Sequence, residues 1–254
     1  MITTRNHDTV RELQLNHPPA NAISPQVMVA LRQAVEAAPR DGARALVLSG
    51  TPGMFSAGLD VPALLTLSRD EMGAAWHDFY GLLRSLAASP IPIAAAITGH
   101  APAGGAVLSL FCDWRTAAEG DFKIGLNEVQ VGLTLPPLIY SALRLVVGQR
   151  QAERLGVAGL LVSPTESLRA GLIDEIVPPE QVIARAIAWC REMLALPPVA
   201  MGNTRRMARA DLTRLFESNL ETEISQVTAS WWGEETQAVL HNLVQRLASK
   251  KKGA

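Results

Sequence analysis

The 254-residue chain has little of what marks several common chemistries. It holds two cysteines, Cys112 and Cys190, far apart and outside any CxxC run or His/Cys cluster. That spacing excludes a disulfide framework and a thiolate or imidazole metal centre, and reads as two buried free thiols in a reducing compartment. Neither sign of charge is in excess: 23 Lys+Arg stand against 24 Asp+Glu, a formal net charge of -1. With no basic-aromatic stripe either, a nucleic-acid partner is not expected, and nothing draws the chain to an anionic membrane. Basic residues crowd only at Lys250-Lys251-Lys252, a solvated terminus by this reading. No GxGxxG or GxxxxGKS/T run supports a nucleotide enzyme, and His100 has no GxSxG elbow to serve. The most apolar stretch, residues 91–112, is interrupted by Pro92, Gly99, Pro102, Gly104 and Gly105, which makes it a poor membrane span. The first fifteen residues mix Arg, Asp and Glu with apolar residues in near-alternation, as a first strand does and a targeting leader does not. A soluble cytoplasmic protein is the expectation.

What is present is enough apolar material, 48% of the chain, to fill a sizeable core. Thr9–Leu15 alternates as a half-buried strand, and Ser24-Pro25 opens a helix that runs to about Ala38. Residues 43–49 and 91–98 are short apolar runs bounded by breakers, as buried strands are, and each feeds a glycine-bearing loop. Between them, residues 70–88 carry helical spacing through Met72, Trp76, Phe79, Leu83 and Leu86, while residues 60–68 show neither period. A helix follows Gly104, then short strands at 113–117 and 122–124. From Pro136 the pattern is helical (138–147, 149–155, 164–170, 180–196, 199–210, 211–231 and 234–249), with one late strand at 173–177. Pro197-Pro198 is the expected boundary between an α/β core, residues 1–197, and a helical region, residues 198–254.

Three segments carry chemistry. Phe55-Ser56-Ala57-Gly58-Leu59-Asp60 is a small-residue turn after a strand and also reads as a plain strand-to-helix turn with Asp60 as cap. Ala103-Gly104-Gly105 leaves the backbone open to a ligand, and a helix starting there presents free N–H groups. Glu128 sits between Leu126 and the Val129–Leu133 run, a setting that raises a carboxylate pKa if the group is buried and leaves an ordinary loop glutamate if it is not. Exposed backbone donors and one carboxylate suit proton removal beside a carbonyl, because fixed N–H groups stabilise the enolate oxygen as it forms.

These runs, with Asn21-Ala22, Gly99–Gly105, Cys112-Asp113 and Gly125-Leu126-Asn127-Glu128, resemble the enoyl-CoA hydratase/isomerase superfamily, the crotonase fold, over nearly the whole chain. Within it the chain looks most like the delta-3,delta-2-enoyl-CoA isomerases. The resemblance implies an α/β spiral of repeated β-β-α units with C-terminal helices that build trimers or paired trimers. It also implies an acyl-CoA substrate with no separate cofactor. It places the backbone N–H groups of Ala57 and Gly104 in an oxyanion hole and makes Glu128 the base. Coenzyme A would drape over Ser56–Leu64, contacting Ser56, Leu59, Asp60 and Leu64, beside Gly105; the pair Arg205-Arg206 would stand near its phosphates, or reads equally as solvated surface. Family hydratases hold a second glutamate where this chain has Val107, so the resemblance favours isomerisation through a dienolate over hydration. Val107, Leu133, Leu135, Trp76 and Phe79 are acyl-pocket candidates that read equally as core.

Overall fold

The computed structural model describes residues 1–217 and 219–252, with side chains to residue 246 of the last helix. The Lys250–Lys252 side chains lie outside that set. Strand β1 (Ile2–His7) turns back on β2 (Val10–Leu15) as an antiparallel hairpin. Helix α1 (Pro25–Arg40) follows, with the Ser24 side chain accepting from the Val27 N–H and Pro25 in the first turn. Val27, Met28, Leu31, Val35 and Ala38 form its buried stripe.

The chain then winds in repeated units. First come β3 (Ala45–Ser49), β4 (Gly53–Met54), the short α2 (Val61–Leu64) and α3 (Arg69–Ala87). A second turn adds β5 (Ile93–Ile97), β6 (Gly99–Pro102) and α4 (Gly104–Leu110), and a third begins with β7 (Trp114–Ala118) and β8 (Ile124–Gly125). Each turn places one strand in a large sheet and one in a small all-parallel sheet ordered β4-β6-β8. The remainder is α5 (Pro137–Val157), α6 (Pro164–Ala170), β9 (Glu175–Val177), α7 (Val182–Leu194), α8 (Pro198–Ala208), α9 (Ala210–Arg214), α10 (Leu220–Trp231) and α11 (Glu234–Lys252). With β9 the large sheet is ordered β1-β2-β3-β5-β7-β9, parallel after the first hairpin.

The central strands β3 and β5 are buried along their whole length without alternation because both faces are covered there. Ala45, Val47, Ala94 and Ala96 pack on α7, while Leu46, Leu48, Ile93 and Ile97 face the main core. Burial pushes the Cys112 and Cys190 thiols up to about 12, so neither is reactive. No helix among the described residues is long and apolar enough to cross a membrane.

Three sequence readings are corrected. Residues 60–68, without visible period, contain α2, whose N-cap Asp60 accepts from the Ala63 N–H. The expected helices 138–147 and 149–155 abut as α5, broken only at Gly148, where φ is 76° and ψ is 163°. The single helix expected over 211–231 is two, α9 and α10, because Asn219 takes a left-handed conformation at the start of α10. The helices after Pro197 fold back on the core of their own chain: α10 lies along α3, and α11 reaches α2 and the turn at 128–131.

Candidate active site

The two glycine-bearing loops meet because each lacks a side chain at the contact. A Cβ at Gly58, where φ is +89°, would lie 3.0 Å from the Ala103 Cβ and 3.1 Å from the Gly104 nitrogen. One at Gly104 would lie 3.2 Å from the Gly58 Cα and 3.3 Å from the Leu59 nitrogen. The Leu59 and Gly104 N–H groups therefore stand side by side, and among the described residues neither has a hydrogen-bond partner. Ala103 holds the strained φ of 47° that aims the start of α4 at this point.

Ala57 does not share in this. Its N–H donates to the Ala20 carbonyl at 2.9 Å, so the free donor of the first loop is Leu59. The loop is fixed from within: the buried Ser56 hydroxyl donates to the Asn21 carbonyl at 2.8 Å and accepts from the Gly58 N–H at 3.2 Å. Asn21 in turn donates through Nδ2 to the Thr51 hydroxyl and to the Met54 carbonyl, both at 3.0 Å. Ser56 thus holds the loop, its side chain buried and its hydroxyl proton committed to Asn21. Gly105 is likewise structural, since a Cβ there would fall 2.6 Å from the Ser56 carbonyl oxygen. Leu64 is buried in the core, and Asp60 is spent as a helix cap.

Glu128 opens a 3-10 turn after β8, which β6 pairs through Ala101 and Pro102. Part of the residue reaches solvent, but its Oε2 is buried with no partner among the described residues. Burial pushes the carboxyl up to about 7, opposed by a hydrogen bond from its own backbone N–H. The turn is clamped by α11: the Thr236 hydroxyl donates to the Gly132 carbonyl at 2.6 Å, and a Cβ at Gly132 would meet Val239 at 3.1 Å.

One narrow cavity, with a void of ≈ 30 Å³, is lined by Leu59, Gly104 and Glu128 together. Val107, Leu133, Trp76 and Phe79 also line it, whereas Leu135 does not. Among the described residues Glu128 is the one carboxylate on its walls. Sequence reading missed Thr134, Pro136, Ile139, Val227 and Ser230. The last two come from α10, and only the packing of α10 on α3 brings them here.

Arg205 is elsewhere and engaged. Its Nε and Nη2 grip Asp113 at 2.8 and 2.9 Å, and Nη1 donates to the Ser89 carbonyl. Arg209 joins at 3.1 Å and caps the Phe111 carbonyl at 2.7 Å. The pair ties α8 to the ends of α3 and α4, which leaves no free guanidinium for a phosphate.

Two residues with unpartnered backbone N–H groups and one with a buried carboxyl line the same largely apolar slot, the parts that an enolate-stabilising site needs. The chain belongs to the enoyl-CoA hydratase/isomerase family, whose model matches residues 5–248. It is similar to the mitochondrial enoyl-CoA delta isomerase 1 of Mus musculus, 31% identical over 99% of this chain and 88% of the mouse protein. It is also similar to a probable enoyl-CoA hydratase, EchA17, of Mycobacterium bovis, 36% identical over 81% of this chain and 77% of that protein. Among solved structures, human mitochondrial delta3-delta2-enoyl-CoA isomerase superposes with a TM-score of 0.93 at 29% identity, covering 98% of this chain and 99% of the human one. The crotonase-type spiral is therefore the fold.

Proposed function

We propose that the chain is a delta-3,delta-2-enoyl-CoA isomerase that moves the double bond of a 3-enoyl-CoA to give 2-trans-enoyl-CoA. The observation that carries this reading is the single carboxylate on the cavity wall, with aliphatic Val107 beside it. The thioester oxygen binds between the Leu59 and Gly104 N–H groups. Glu128 takes a proton from C2, the C–H electrons delocalise through the carbonyl and the double bond, and the dienolate charge rests on the thioester oxygen. The protonated Glu128 then returns the proton to C4 as the double bond forms between C2 and C3. A carboxyl whose pKa lies at about 7 accepts and releases that proton with little bias at neutral pH. Each oxyanion donor contributes about 3–4 kcal/mol to such a barrier.

Hydration is the second reading, favoured by the 36% identity to a probable enoyl-CoA hydratase. It needs a second carboxylate to position water and move the other proton, and the cavity supplies none among the described residues. A side-by-side assay of 3-hexenoyl-CoA and crotonyl-CoA decides. Rapid isomerisation with little water addition supports the proposal, and hydratase-like turnover of crotonyl-CoA overturns it.

A further inference from the structure

The slot that holds Glu128 is also lined by Trp76, whose indole N–H the reaction does not use. Trp76 on α3 is 6% exposed and lines the cavity, and its indole Nε1 is buried without an acceptor among the described residues. One turn earlier on α3, Gly73 faces α10: a Cβ there would lie 4.0 Å from the Thr228 hydroxyl, also buried and unpartnered. Phe79, Val107, Leu133, Ile139 and Val227 make most of the surrounding wall apolar; Thr134 and Ser230 also line it, and the Ser230 hydroxyl donates to the Val227 carbonyl at 2.9 Å. The same helix satisfies its other buried aromatic polar group, since the Tyr80 hydroxyl donates to Glu223 at 2.7 Å. An indole N–H can only donate, and burying it unpaired is costly, so such groups persist where a bound molecule supplies the acceptor. A phenyl ring would complete this wall without that cost.

We propose that Trp76 is a specificity-determining residue whose N–H takes an oxygen acceptor on the acyl chain. The preferred substrates are then enoyl thioesters with a hydroxyl or keto oxygen beyond C4, in place of plain hydrocarbon chains. The inference rests on the acyl-CoA reading of the site. The void of ≈ 30 Å³ has room for a small polar group. An oxygenated chain supplies the missing acceptor, whereas a hydrocarbon chain leaves the indole unpaired.

The test is calorimetric binding of saturated thioesters, which report affinity without turnover: hexanoyl-CoA and its 5- and 6-hydroxy counterparts, against wild type and Trp76→Phe. One hydroxylated isomer should bind wild type about tenfold more tightly than hexanoyl-CoA, and Trp76→Phe should bring that ratio close to one. Hexanoyl-CoA binding wild type as tightly as every hydroxy form, or a preference that survives in Trp76→Phe, overturns the proposal. The wild-type series decides alone if the variant does not fold. Turnover of 3-hexenoyl-CoA is measured separately, so an intact binding preference without isomerisation sinks the isomerase assignment and leaves this one standing.

Discussion

Glu128 and Asp113 are both largely removed from water, yet their surroundings are opposite. Asp113 is saturated: two guanidiniums and the Ile93 N–H fill its oxygens. Glu128 has a buried oxygen with no partner among the described residues, and its cavity is otherwise largely apolar. The first arrangement holds helices together and leaves nothing for a ligand. The second stores unmet hydrogen-bonding capacity where a thioester is to react. Partner count, and not burial, separates the architectural carboxylate from the chemical one.

The comparison breaks most sharply on substitution of the two acids. Glu128→Gln should lower isomerisation of 3-hexenoyl-CoA by about 10³-fold or more while acyl-CoA binding, read by calorimetry, persists. Retention of most activity would contradict the role given to that side chain. Asp113→Ala strands two buried arginines and should cost about 3–5 kcal/mol in urea unfolding, with kcat of the folded enzyme within a few-fold of wild type. A large kcat loss at unchanged stability would erase the distinction.

The pH dependence sharpens it further. The Glu128 carboxyl is raised from 4.5 to about 7, so the folded state holds a proton that the unfolded state releases. Its contribution to stability is full below about pH 4.5, declines as pH rises through 7, and is gone above. Glu128→Gln should therefore be more stable than wild type by about 3 kcal/mol at pH 8 and nearly equal to it at pH 4. In wild type kcat/KM should rise with pH through about 7 as the base ionises. Equal stability differences at both pH values would mean that the carboxyl is not raised.

A smaller effect tests the backbone donors. Gly104→Ala places a Cβ 3.2–3.3 Å from Gly58 and the Leu59 nitrogen, forcing the donors apart by a few tenths of an ångström. About a hundredfold loss in kcat is expected with little change in KM. The smallest effect concerns Arg205. Arg205→Lys forfeits its two-pronged grip on Asp113 and should lower stability by about 1–2 kcal/mol while leaving KM for acyl-CoA unchanged. A raised KM would restore the phosphate role that its ion pair denies.

Local signals made much of this legible. Ser24-Pro25 marks the start of α1, the spacing from Met72 to Leu86 marks α3, and the uninterrupted apolar strands announce a sheet covered on both faces. Gly58, Gly104 and Glu128 stand out by residue type and setting. Whether Ala57 or Leu59 offers the free N–H was not legible, because a carbonyl on a distant loop, that of Ala20, decides it. Arg205 is a phosphate-site candidate by resemblance alone, and sequence spacing does not reveal its partner Asp113, 92 residues away. Val227 and Ser230 join the cavity only through α10 packing on α3, a contact that helical periodicity does not specify.

The central claim is that one carboxyl carries one proton across the substrate in a slot nearly closed to water. The direct measurement uses 3-hexenoyl-CoA with deuterium on both C2 hydrogens, isomerised in ordinary water and read by mass spectrometry and NMR. The account predicts 2-trans-hexenoyl-CoA with part of the C2 deuterium delivered to C4. A product with only solvent hydrogen at C4, or with oxygen added at C3, would contradict it.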